Sequence, residues 1–186
     1  MKKMLIILLP VFLIFSCSDK KAESETVTGD SVVTTNNNDR SGENLNLPYT
    51  VAKTPDWERG DNNNVAIAMN TLRAFEVNDM AGIGQYLADS IEFYIDNISF
   101  EGSRDSLIKM FTGYRNSMDT LHVKMLDYES VKSKNRGEEW VGLWYIETTK
   151  QKGGKLDSAM VMDDIKIVNG KVALIDSKMR RMVKRK

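Results

Sequence analysis

The sequence predicts an α+β domain in which helices pack against an antiparallel sheet. Apolar residues recur at three- and four-residue steps from Val65 to Phe75, and again from Leu107 to Tyr114, as amphipathic helices require. Extended segments then follow one another: Leu121 to Val131, Glu139 to Thr149, Leu156 to Val168 and Lys171 to Met182. Turn material separates them, namely Asn135-Arg136-Gly137, Lys152-Gly153-Gly154 and Asn169-Gly170. Helices grouped apart from hairpin-linked strands define the α+β class.

Composition narrows the possibilities. At 186 residues, with 41% hydrophobic and 28% charged residues, the chain has the make-up of one globular domain with a sizeable core. The single Cys excludes an intrachain disulfide, and one Cys with one His cannot build a Cys/His zinc site. The 26 basic and 26 acidic residues cancel, which gives no reason to expect nucleic acid as a partner. That balance is uneven along the chain: Lys178, Arg180, Arg181, Lys184, Arg185 and Lys186 form a basic end with no acid among them. Such an end either meets anionic headgroups or polysaccharide, or is simply solvated.

Taken in order, the chain opens with Lys2-Lys3 and an apolar run from Met4 to Phe15, the pattern of a secretory signal. A spanning helix needs ~20 apolar residues, so this run is too short, and Pro10 interrupts it. Ile14-Phe15-Ser16-Cys17 resembles the lipobox of bacterial lipoproteins, in which cleavage precedes a cysteine whose thiol then carries diacylglycerol. That resemblance implies a lipid membrane as partner through acylated Cys17. It places the protein on a bacterial outer membrane, facing the periplasm or the cell surface, and Ser18-Asp19-Lys20-Lys21 is similar to the charged start of Bacteroidetes-type lipoproteins. The expected organisation is a leader over 1–16, the acylated cysteine and a tether over 17–56, and a folded domain over 57–186. The tether is rich in Ser, Thr, Asn, Asp, Glu and Gly and lacks the apolar surface that would offset its ordering entropy. No Pro follows Pro55, as suits continuous regular elements.

Within the domain, Val65, Ala68, Met69, Leu72 and Phe75 make the first helix, with candidate N-caps at Asp61 to Asn64. Asn78-Asp79 and Gly82/Gly84 break it, leaving room for a short helix over Ile83 to Leu87. Ile91 to Ile95 reads as a strand, Asp96-Asn97 as a turn and Ile98 to Phe100 as a returning strand. Ser103 then caps a helix whose face is Leu107, Met110, Phe111, Tyr114 and Met118. Asn169-Gly170 is the strongest hairpin signal in the chain. Along Glu139 to Glu147 both alternating faces are apolar: Trp140, Trp144 and Ile146 on one, Val141, Leu143 and Tyr145 on the other. A strand buried on one side only would alternate, so something covers the second face.

This order of elements resembles the nuclear transport factor 2-like fold, which includes SnoaL-like polyketide cyclases and ketosteroid isomerases. Local text agrees in Phe75-Glu76-Val77-Asn78-Asp79, in Gly84 to Phe93, in Phe100-Glu101-Gly102 before the Ser103 helix, and in Val168 to Val172. The resemblance covers about Asn62 to Met182 and implies helices held in a cone-shaped, curved antiparallel sheet with an open mouth. Phe75, Tyr86, Tyr94, Phe111, Tyr114 and Trp144 would line that cone and bind a small apolar ligand, or would be core without one. A homodimer formed by a partner's sheet would cover the second face of the Trp140 strand, or the tether or the termini would bury it.

No catalytic motif is present. Ketosteroid isomerases use a carboxylate base near the first strand, but the matching position here is Tyr94, with Asp96 two residues beyond. SnoaL-like cyclases rely on a buried acid–base aspartate, for which Asp163, Asp164 and Asp176 qualify by location. Adjacent Asp163 and Asp164 point to opposite faces of a strand, so one at most enters the cone. His122, the single histidine, starts a strand and reads as a surface residue. No cofactor pattern, metal-ligand spacing, P-loop or nucleophile elbow is found. The reading is a lipid-anchored binding or interaction module; the alternatives are a cyclase- or isomerase-type enzyme with Asp164 or Asp96 as base, and a dimeric scaffold with a filled cone.

Overall fold

Asp61 starts the first helix as its chemistry dictates, by accepting a hydrogen bond from the Asn63 N–H at 2.8 Å. The computed structural model describes residues 48–50, 52–53 and 56–182; the leader, Cys17 and most of the tether lie outside the described residues, as do residues 183–186. Helix α1 runs Asn62–Glu76 and α2 Met80–Ile83, followed by strands β2 (Leu87–Ile95) and β3 (Ile98–Ser103). Helix α3 spans Arg104–Asn116, and β4 (Met118–Ser133), β5 (Glu139–Gln151), β6 (Leu156–Val168) and β7 (Lys171–Arg181) follow. A strand β1, Trp57–Arg59, precedes α1.

The helix boundaries differ from expectation at two places. Helix α2 begins at Met80, three residues before the expected Ile83, because the Asp79 carboxylate captures the Gly82 N–H at 2.7 Å. Leu87 consequently belongs to β2. Met118 is not on the face of α3: Ser117 ends that helix, its hydroxyl donating to the Tyr114 carbonyl at 2.6 Å, and Met118 is the buried first residue of β4.

The strands form one seven-stranded sheet in the order β1-β4-β5-β6-β7-β2-β3. Strands β4 to β7 are the expected meander, and Asn169 and Gly170 turn with φ of 51° and 70°, as a type I′ hairpin requires. The sheet is mixed rather than wholly antiparallel, since β2 lies parallel to β7. Parallel neighbours need a long crossover, and here α3 and the meander supply it. Register shifts at Met125/Asp127 in β4 and Lys166/Ile167 between β6 and β7 bend the sheet.

Alternation decides what the sheet covers. Val141, Leu143 and Tyr145 of β5 and Ala159, Val161, Ile165 and Ile167 of β6 face the helices and are buried. Ala68 of α1 and Leu107 of α3 close the same core, and Phe111 meets Phe75 and Phe93 edge-on at 5.2 and 5.1 Å between centroids.

Strand β1 was not legible from pattern, and side chains rather than hydrophobicity hold it. It pairs with the end of β4, Trp57 opposite Ser133 and Arg59 opposite Val131. Gly60 donates to the Ser130 carbonyl at 2.8 Å, and a Cβ there would lie 2.9 Å from the Val131 nitrogen. Asp56 accepts from the Ser133 hydroxyl at 2.7 Å and from the Asn135 N–H at 2.8 Å, and pairs with Arg136 at 3.0 Å. The Ser133 bond first, then the Asn135 bond and Arg136, hold its carboxyl below the usual range. Asp56→Ala should therefore release β1 and the Ser133–Arg136 turn together, read as faster hydrogen exchange at the Asn135 and Gly60 amides with exchange in β6 unchanged.

Candidate functional site

The residues facing the helices along β5, β6 and β7 are mostly apolar, and the most deeply buried charge among them is in β6. There, Asp163 replaces the aliphatic residue that its neighbours Val161 and Ile165 lead one to expect, and only 4% of it is exposed. Its carboxylate accepts from the Tyr145 hydroxyl at 2.9 Å and from the Ser177 hydroxyl at 2.6 Å, so each oxygen has a donor. Burial pushes the Asp163 carboxyl up to about 6 against the two hydrogen bonds, and burial together with Asp163 drives the Tyr145 phenol well above its ordinary value.

Glu147 is the next residue of β5 on this face. It opens into a cleft of about 130 Å³ at the end of α3, where Tyr114, Ala159, Met179 and Arg181 also meet. Burial first, and then the charge of Asp163, push its carboxyl up to about 7. Among the described residues, every carboxylate that is not exposed has a hydrogen bond or an ion pair, except Glu147. Tyr114 stacks on Phe75 with ring centroids 6.3 Å apart and planes 14° from parallel, which makes an aromatic wall beside the carboxyl. Burial raises the Tyr114 phenol, with Glu147 adding to it.

The residues singled out from sequence divide between the two faces. Phe75 and Phe111 share the interior, Tyr114 stacks on Phe75 with about half of it exposed, and Tyr86 sits partly buried in the turn before β2. Tyr94 and Trp144 do not enter the cone. They alternate with the inward Phe93, Leu143 and Tyr145, so the pleat turns them outward. Tyr94 donates to Glu92 at 2.7 Å, and Trp144 lies over Gly142, where a Cβ would come within 2.8 Å of its ring. Neither proposed base reaches the interior. Asp164 is on the outer face, bound to Lys178 at 2.7 Å, and Asp96 sits in the exposed β2–β3 turn with φ of 49°. Asp176 shares the same lysine at 2.9 Å.

The inward aspartate is thus Asp163. A signal for it was present: the odd-numbered residues from Ala159 to Ile167 are otherwise all apolar, whereas the even-numbered ones include Asp164 and Lys166. Glu147 was missed because it lies two residues beyond Tyr145, where the apolar run ends. His122 is at the surface as expected, with 76% of its side chain exposed and Nδ1 3.2 Å from Glu76. Among the described residues no three metal-ligating side chains stand together.

Outward-facing Trp140, Trp144 and Ile146 are partly buried. Long basic side chains cover some of this face: Lys166 stands 5.7 Å from the Trp140 ring centre, and Arg180 reaches Met160 Sδ at 3.5 Å.

No family model matches the chain, and no curated protein does. Solved structures do. An LEH-like epoxide hydrolase from M. tuberculosis is 12% identical with a TM-score of 0.54, over 64% of this chain and 84% of that one. AusH from Aspergillus nidulans is 10% identical at a TM-score of 0.53, over 69% and 90%. An NTF2-like protein from Burkholderia xenovorans is 16% identical at a TM-score of 0.50, over 66% and 93%. At these identities the likeness shows the fold alone, which is nuclear transport factor 2-like, as the element order implied.

Proposed function

We propose that this protein is a lipid-anchored binding module of the bacterial cell envelope whose cone holds a small ligand against Glu147, without catalysis. The anchoring rests on the lysine-led apolar leader and on Ser16-Cys17. The binding rests on one observation: Glu147 is a largely buried carboxyl with no partner among the described residues, and it faces an open cleft. Burying such a group costs several kcal/mol unless something satisfies it, and a ligand is what the cleft leaves room for. Drug-sized ligands occupy roughly 300–1,000 Å³, so a cleft of about 130 Å³ takes a compact group. The partly buried Trp140, Trp144 and Ile146 face supports a homodimer as the state in which the module works.

A second reading has its own support. A carboxyl held at about 7 is matched to general acid–base work near neutral pH, which makes Glu147, rather than Asp164 or Asp96, the residue an enzyme would use. Asp163 would then be a positioning residue, since both its oxygens are occupied.

Native mass spectrometry of acylated protein taken from the envelope tests the proposal. The expected result is a small adduct on the wild type that is lost in Glu147→Gln, with Cys17→Ser losing the lipid mass. An adduct-free wild type whose melting temperature no small molecule raises would end the binding reading, and conversion of the adduct during incubation would favour the enzyme.

A further inference from the structure

Glu147 is surrounded by groups that say what the missing partner should be. From its own strand Tyr145 approaches, with its hydroxyl committed to Asp163. From β6, Asp163 lies behind it in the core and Asp157 lines the cleft; Met179 and Arg181 of β7 and Lys155 of the β5–β6 turn line it too. From α3 comes the ring of Tyr114, backed by Phe75 of α1. Arg181 turns its Nε toward Asp157 at 3.9 Å, and neither it nor Lys155 comes within ion-pair distance of Glu147. The cleft therefore sets the Glu147 carboxyl beside the ring of Tyr114 and the side chain of Met179, with Asp163 behind it in the core, while Lys155 and Arg181 stand exposed beside Asp157.

We infer that the ligand is a small alkylammonium cation, its charged head against Glu147 and its alkyl groups against Tyr114 and Met179. This rests on the reading of the cleft as a ligand site. An anion would face the Glu147 carboxylate, with the charge of Asp163 behind it. A neutral apolar ligand would cover Glu147 without giving it a partner, so the carboxyl would have to take up a proton and lose its charge. A cation supplies the absent charge, and the Tyr114 face adds cation–π attraction. Size agrees, because a cleft of about 130 Å³ admits a head of a few heavy atoms.

Because burial holds Glu147 at about 7, the pH dependence has a definite sign. The cation binds the ionised carboxylate, so affinity rises as pH increases through that value and levels off above it. Between about pH 5.5 and about pH 8 the gain should be at least tenfold, from the change in the ionised fraction alone.

The experiment is isothermal titration calorimetry of the full chain with methylammonium, trimethylammonium and tetramethylammonium chlorides at both pH values. tert-Butanol serves as the neutral counterpart and sodium chloride as the ionic-strength control. The expected result is saturable binding of at least one ammonium at the higher pH, at least tenfold weaker at the lower, lost in Glu147→Gln and weakened in Tyr114→Ala. If tert-butanol binds as well as trimethylammonium with no pH dependence, the cation inference falls and the binding module stands. If neither ammoniums nor tert-butanol bind wild type at either pH, the inference is overturned; if, in addition, native protein carries no adduct, the binding module falls with it. The wild-type pH arm decides the question even if a variant fails to fold.

Discussion

Raising the pH from about 4.5 to about 8 should destabilise this domain, and Asp163→Asn combined with Glu147→Gln should remove most of that slope. Both carboxyls have folded pKa values above their ordinary ones, about 6 against 3.8 and about 7 against 4.5. The folded state therefore binds more protons than the unfolded one across this interval, and stability falls as pH rises. The contribution is fully present below the ordinary values and is lost as pH passes through about 6 and about 7. At ~1.4 kcal/mol per pKa unit, the interval is worth about 2 kcal/mol for Asp163, whose ordinary value lies below its lower end, and about 3 kcal/mol for Glu147. Glu76 and Glu138 shift downward and act in the opposite sense, but only as pH falls through the lower end of the range. Urea midpoints at several pH values check this. A flat wild-type profile, or a double variant that keeps the slope, would contradict it. Tyr145→Phe extends the argument: removing the hydroxyl should cost more at pH 8, where Asp163 is ionised, than at pH 5, where it is protonated.

The second large effect is expected at Glu76, the last residue of α1. Burial alone would raise its carboxyl, but the Val123 N–H, the Arg73 guanidinium and His122 outweigh that and hold it low. One oxygen accepts from Val123 N–H at 2.9 Å and the other from Arg73 at 2.6 Å, while the Glu76 carbonyl accepts from Arg115 at 3.2 Å. One residue thereby ties α1 to β4 and α3. Glu76→Ala should cost about 2–3 kcal/mol, because it leaves the Val123 N–H without its acceptor and frees the end of α1. Glu76→Gln keeps an acceptor and should cost roughly half as much. Equilibrium denaturation measures both, and equal losses would show that the charge, not the Val123 bond, carries the effect.

What was legible in the sequence, and what was not, follows from how local each determinant is. Helix α1 could be read because its cap and its periodicity lie within fifteen residues, and the β6–β7 hairpin because Asn169-Gly170 admits one turn geometry. Strand β1 could not, since Trp57-Glu58-Arg59 has no alternation and exists only because β4 lies beside it. The parallel β2–β7 pairing is likewise a property of distant partners. At the site, alternation correctly placed Asp163 and Asp164 on opposite faces, but choosing between them needed the apolar odd-numbered series to be followed along the whole strand. Tyr94 and Trp144 were assigned to the cone by residue type, and the pleat overruled that. Glu147 had no motif to announce it; what distinguishes it is the lack of a partner among the described residues, which only a folded neighbourhood reveals.

The parallel β2–β7 pairing also orders events during folding. Strand β2 can form its local hairpin with β3, yet Leu87 must wait for Val172 and Ile95 for Ser177 before the sheet can close. Until β7 docks, the apolar faces of α1 and α3 have no finished surface to pack against. Such long-range pairing slows folding, so a chain of this design stays open until strands from its two ends have met.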